Sequence, residues 1–169
     1  MKSLWGNLEI LTSDIKNPRE IIEEQASIFN EMDGNLAYIR VQSKKLTEAG
    51  KKNFRLYDDE IEGDFVYTFE LRSEYLEEYV YEIFTIYYGI KFYPICIQLS
   101  AGIENELDSY LEDIDCIDPN NHRYAVPNER IFVEILKNIL STDELGTIIR
   151  NLNLLAKERG TMEETSEVQ

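Results

Sequence analysis

The chain has 169 residues, 43% of them hydrophobic, and carries 33 Asp and Glu against 17 Lys and Arg, a net charge of −16. That length and apolar content predict a single α+β domain over residues 1–160 with one core. The acidic excess argues against nucleic acid, anionic lipid and phosphate-rich ligands, which all need cations opposite them. No apolar run reaches the roughly 18 residues of a membrane span, and Met1–Gly6 lacks a signal-peptide apolar region, so a soluble cytoplasmic protein is expected. The two cysteines, Cys96 in a predicted strand and Cys116 in a predicted loop, fit a reducing compartment as buried inert thiols.

Taken in order, Leu8–Leu11 reads as a short strand or an arm packed by Trp5. Asn17-Pro18-Arg19-Glu20 is a helix start, with Asn17 as cap, Pro18 at the first helical position and Glu20 at the third. Ile21, Ile22, Ala26, Phe29 and Met32 form an apolar stripe, which predicts a helix over 18–32 ended by Gly34. Leu36, Tyr38, Ile39 and Val41 begin the sheet. Lys44, Lys45, Lys51 and Lys52 around Gly50 read as a solvated loop, since no aromatic is interleaved to stack bases. Phe54 and Leu56 suggest a short strand before the acidic loop 58–64.

Residues 64–99 are the region of densest β-forming side chains. Phe65, Tyr67, Phe69 and Leu71 alternate with Thr68, Glu70 and Arg72, the pattern of a half-buried strand. Leu76 to Tyr88 is rich in Tyr, Ile, Val and Phe and is read as a second strand. Gly89-Ile90 then serves as a short hairpin connection, and Tyr93, Ile95, Ile97 and Leu99 mark a third strand. An antiparallel meander results, and Pro94, lacking an N–H, belongs at an edge or near a strand start.

Ile103, Leu107 and Leu111 predict a short helix over 102–112, Asp118-Pro119-Asn120-Asn121 a turn, and His122 an exposed loop residue. Pro127 opens a helix with Ile131, Phe132, Ile135, Leu136, Ile139 and Leu140 on one face. Ser141-Thr142-Asp143-Glu144 caps another that buries Leu145, Ile148, Ile149, Leu152 and Leu155 and stops at Gly160. An acidic disordered tail is expected over 161–169. The fold class is therefore α+β: an antiparallel sheet of four to five strands, the meander 64–99 among them, with one N-terminal and two C-terminal helices packed on one face.

The charge is unevenly placed. Asp58 to Asp118 contains 17 acids against Arg72 and Lys91, whereas the other 108 residues hold 16 acids and 15 bases. Like charges held together oppose compaction, so such a field suggests an opposite surface that docks on it. The candidate partner-binding residues are Asp58, Asp59, Glu60, Glu62, Asp64, Glu104, Glu106, Asp108, Glu112 and Asp113. Tyr79 or Tyr81 with Glu77 and Glu82 would join them on an exposed sheet face.

No catalytic or metal motif accompanies them. Asp58, Glu60, Glu62 and Gly63 match the opening of a calcium loop, but Phe69 stands where its bidentate Glu belongs. With one histidine and no phosphate loop or nucleophile elbow, no cofactor, metal or catalytic residue is assigned. The expectation is a non-enzymatic binding protein covering a basic surface of a toxin, nuclease or similar partner, as an immunity protein, antitoxin or inhibitor does. A subunit of a larger assembly and a carboxylate-dependent enzyme are the alternatives.

Overall fold

The computed structural model describes residues 14–55 and 61–167. Six strands form one sheet: β1 (Ala37–Lys44), β2 (Phe65–Ser73), β3 (Val80–Tyr88), β4 (Ile95–Leu99), β5 (Asp115–Asp118) and β6 (Arg123–Val126). Their order is β1-β2-β3-β4-β6-β5, with every neighbouring pair antiparallel. The helices are α1 (Pro18–Asn30), α2 (Glu48–Arg55), α3 (Ala101–Glu106), α4 (Asp108–Leu111), α5 (Glu129–Leu140) and α6 (Asp143–Glu167). This is the expected α+β class, with the meander β2-β3-β4 at its centre.

One sheet face carries Ile39, Phe69, Leu71, Phe84, Ile86, Tyr88, Ile95, Ile97, Leu99 and Val126. They share a core with Ile21 and Ile22 of α1, Ile103 of α3, Phe132, Ile135 and Ile139 of α5, and Leu145 and Leu152 of α6. A register shift between Phe69 and Glu70 leaves Ile83 as the extra residue, so both Ile83 and Phe84 are buried there. The other face is covered at one end, where Ile61, Val66, Tyr87 and Cys96 pack with Leu46, Ile117 and Ala125. That face is otherwise polar: Thr68 and Thr85 hydroxyls meet at 3.0 Å, and Arg72 pairs with the buried Glu70 at 2.8 Å.

Local chemistry explains several boundaries. Asn17 Oδ1 accepts the Arg19 N–H (3.1 Å) and Pro18 opens α1, which ends at Asn30, while Gly34 takes a left-handed φ of 75° in the following turn. Met32 is exposed rather than part of the buried stripe. Pro94 immediately precedes β4, an interior strand, so its missing N–H costs no ladder bond.

Other expectations are corrected. The lysine-rich stretch is partly helical, and Phe54 lies in α2 instead of a strand; Leu56 falls outside the described residues, as does the Leu8–Leu11 arm. The second strand begins at Val80, because residues 74–79 make the turn into it. The hairpin connection spans 89–94, with Phe92 at φ 70°, and not just Gly89-Ile90. Residues 115–126 form the hairpin β5–β6, so Cys116 sits exposed in a strand rather than buried in a loop, and no disulfide joins it to Cys96. His122 is half-buried in a left-handed conformation (φ 57°). Gly160 does not end the last helix, which continues to Glu167.

Candidate functional site

Register decides which acids meet. Glu62 and Asp64, both exposed, sit where β2 begins and β3 ends, since Phe65 pairs with Tyr88; Glu62 lies so close to Gly89 that a Cβ there would collide with it. Glu104 and Glu106 follow β4 beyond Leu99, which pairs with Phe84, whereas Glu112 and Asp113 precede β5, whose Asp115 pairs with Ala125 at the level of Cys96, Tyr87 and Val66, the end of the sheet where Glu62 and Asp64 lie. The predicted acids are therefore spread along the segment that leads from one end of the sheet to the other and do not form one cluster. Asp58, Asp59 and Glu60 are outside the described residues.

Two of these acids hold the fold. Glu104 Oε2 accepts the hydroxyl of buried Tyr124 at 2.8 Å, and its Oε1 lies 2.8 Å from His122 Nδ1. Burial, reinforced by the hydrogen bond and charge of Glu104, raises the Tyr124 hydroxyl well above its ordinary titration range. Glu106 accepts the backbone N–H groups of Asp143 (2.9 Å) and Glu144 (2.8 Å), so it caps the start of α6 together with Thr142, whose Oγ1 accepts the Leu145 N–H at 3.4 Å. Farther along, Glu82 pairs with Lys44 at 2.7 Å, and Asp118 accepts from the Asn121 side chain at 2.7 Å. Charge spent in this way is not offered to a ligand.

What stays available is different. Asp108, Glu112, Asp113 and Asp115 are exposed and form no salt bridge among the described residues, and the same holds for Glu74, Glu77 and Glu78 in the β2–β3 turn. That turn is built by local bonding. Ser73 O accepts the Leu76 N–H (3.3 Å), Leu76 O accepts the Tyr79 N–H (2.9 Å), and Ser73 Oγ donates to Leu36 O (3.0 Å). Half-buried Leu76 packs on the core, while Tyr75 and Tyr79 remain 38% and 39% exposed.

Glu74, Tyr75, Leu76, Glu77, Glu78 and Tyr79, with Arg159 of α6, surround a concavity of about 640 Å³. Gly160 lets α6 approach, because a Cβ there would stand 3.2 Å from the Tyr75 ring. Sequence reasoning assigned Glu77, Tyr79 and Tyr81 to a sheet face and missed Glu74, Tyr75 and Glu78. Reading Leu76–Tyr88 as one strand hid the turn. Tyr81 instead packs against the helix-covered core and shares a 2.8 Å hydrogen bond with Ser100.

The chemistry open to this region is recognition of cations and hydrogen-bond donors by carboxylates flanking amphipathic rings. No group of three or more His, Cys, Asp or Glu side chains suited to a metal ion occurs among the described residues. Burial, with nearby acids adding to it, raises the Cys116 thiol, which keeps it protonated and a poor nucleophile. No helix among the described residues is long and apolar enough to cross a membrane. Comparison with protein-family models, curated proteins and solved structures returns no match, so the geometry carries the functional argument alone.

Proposed function

We propose that this chain is a non-enzymatic protein-binding module that covers a basic surface of its partner, in the manner of an immunity protein, antitoxin or other inhibitor. The observation that carries the reading is the β2–β3 turn, where exposed Glu74, Glu77 and Glu78 alternate with the exposed rings of Tyr75 and Tyr79 around a concavity. Tyrosine is enriched among residues that dominate binding energy, because it contributes large contact area with few rotatable bonds and a polar tip. Carboxylates around it steer a cationic partner and accept its Lys and Arg side chains. Exposed Asp108, Glu112 and Asp113, on the segment that leads from α3 into β5, add to the negative charge of the molecule.

The test is affinity capture from the native cell with the full chain and with a Glu74→Lys, Glu77→Lys, Glu78→Lys variant, at low and high salt. A basic protein retained by the native chain at low salt, and lost with the variant or at high salt, supports the reading. Retention that ignores both changes overturns it. Glu104 and Glu106 are poor positions for this experiment, because reversing them breaks the Tyr124 bond and the α6 cap.

A further inference from the structure

β1 lies at one end of the strand order and pairs only with β2, so its outer edge faces away from the sheet. Asn30 of α1 reveals which groups point outward: its Nδ2 donates to Ile39 O (2.9 Å) and its Oδ1 accepts the Ile39 N–H (2.7 Å). One side-chain amide thus pairs with this residue as a neighbouring strand would. Because a strand repeats every two residues, Val41 and Ser43 direct their N–H and C=O groups the same way. Gln42 Nε2 donates to Ser43 O at 3.2 Å, whereas the outward groups of Val41 have no partner among the described residues. Alongside runs a groove of about 470 Å³ between β1 and α1, floored by Ile39 and Val41 and walled by Ala26, Ser27, Asn30 and Glu31.

We infer that this groove takes an extended segment of a partner protein, added to the sheet as a strand next to β1. The complement of the open N–H and C=O of Val41 and the N–H of Ser43 is another backbone, and the small side chains of Ala26 and Ser27 leave space for it. The charge at the two ends is opposite. Glu31 stands beside the Ile39 end and makes no salt bridge among the described residues, and Lys45 is exposed just past the other end. The segment that fits carries a Lys or Arg near Glu31 and a carboxylate near Lys45. A second copy of this chain is the competing occupant: antiparallel pairing of two β1 strands centred on Gln42 sets Lys44 against Arg40, whereas centring on Val41 sets Arg40 against Gln42, and dependence on protein concentration tells it apart. This surface is distinct from the β2–β3 turn, so the inference stands apart from the function proposed above.

The experiment titrates the isotopically labelled full chain with two blocked hexapeptides, Lys-Thr-Val-Thr-Val-Glu and its reverse, and follows the amide signals of residues 37–45. One peptide is expected to shift Val41 and Ser43 saturably at millimolar concentration. Methylating its edge-facing amide nitrogens should weaken binding at least tenfold, and Val41→Pro, which removes only an outward N–H, at least fivefold with the β1–β2 ladder signals retained. Several outcomes overturn the inference: no saturable shift with either peptide, shifts indifferent to N-methylation, or Val41 protection that depends on protein concentration and reports a second copy. Binding seen only after deletion of residues 1–13 does so too, since the chain's own segment would then hold the edge.

Discussion

Both oxygens of the Glu104 carboxylate are engaged, one by the Tyr124 hydroxyl and one by His122. Replacing it with Ala leaves a buried phenol without its acceptor, which costs about 1–3 kcal/mol; urea unfolding should show that loss, and Glu104→Gln, which keeps an acceptor, should recover part of it. Tyr93 presents the opposite case. Its buried hydroxyl has no partner among the described residues, so Tyr93→Phe is expected to leave stability unchanged or raise it by about 1 kcal/mol. Burial also raises the titration of Tyr88, Tyr93 and Tyr124, helped at Tyr124 by Glu104. The folded state therefore keeps phenolic protons that the unfolded chain releases near pH 10, so their contribution is complete below about pH 10 and is lost as pH rises above it. Tyrosinate absorbance and circular dichroism should change together in alkaline titration; ionisation of these phenols near pH 10 with the fold intact would contradict this. None of these pairings is legible in the sequence, because Glu104 meets residues 18 and 20 positions away and His122 adopts a backbone conformation its neighbours do not announce.

At the scale of elements, α6 starts under a cap that comes from another helix. Glu106→Ala removes the acceptor for two backbone N–H groups and the negative charge at the helix start. A cost of about 1 kcal/mol follows, or a fall of about 2–4 °C in the thermal midpoint for a protein of this size. The capping-box spacing of Ser141 and Glu144 marked the helix start, but the side chain that caps is Thr142, while Ser141 donates back to Lys137 O; Glu106 was not readable at all, because nothing local connects it to Asp143. The same distinction separates the strands. β2 and β4 declare themselves by apolar side chains at every second position, although Val66, Thr68, Glu70 and Cys96 on the other face are buried too. β5 and β6 are four residues each, and β5 is acidic and half-exposed, so only the pairing of β6 with β4 and of β5 with β6 makes them strands. The β2–β3 turn was concealed by its own tyrosines, residues that favour strands but here stand at a turn where Leu76 alone reaches the core.

Across the whole molecule, the acidic excess of the middle third was legible, but its distribution was not. Strand register sends Glu62 and Asp64 to one end of the sheet and Glu104 and Glu106 to the other, with Glu112 and Asp113 back at the first end ahead of β5, while Glu70, Glu82, Glu104, Glu106 and Asp118 are bound internally. A net charge of −16 still repels itself. Added salt should therefore raise the thermal midpoint, most steeply up to about 0.15 M, where the screening length falls to about 8 Å. Partner binding should respond with the opposite sign, because salt screens attraction between molecules as it relieves repulsion within one. The Glu74→Lys, Glu77→Lys, Glu78→Lys variant separates these two effects: three exposed acids without salt bridges among the described residues are replaced, so the midpoint should rise slightly as net charge falls from −16 to −10. Association with a basic partner should meanwhile slow at least tenfold and lose most of its salt dependence. Stopped-flow mixing across a salt series reads both quantities, and an association rate the same for the two proteins would mean that steering does not come from the turn.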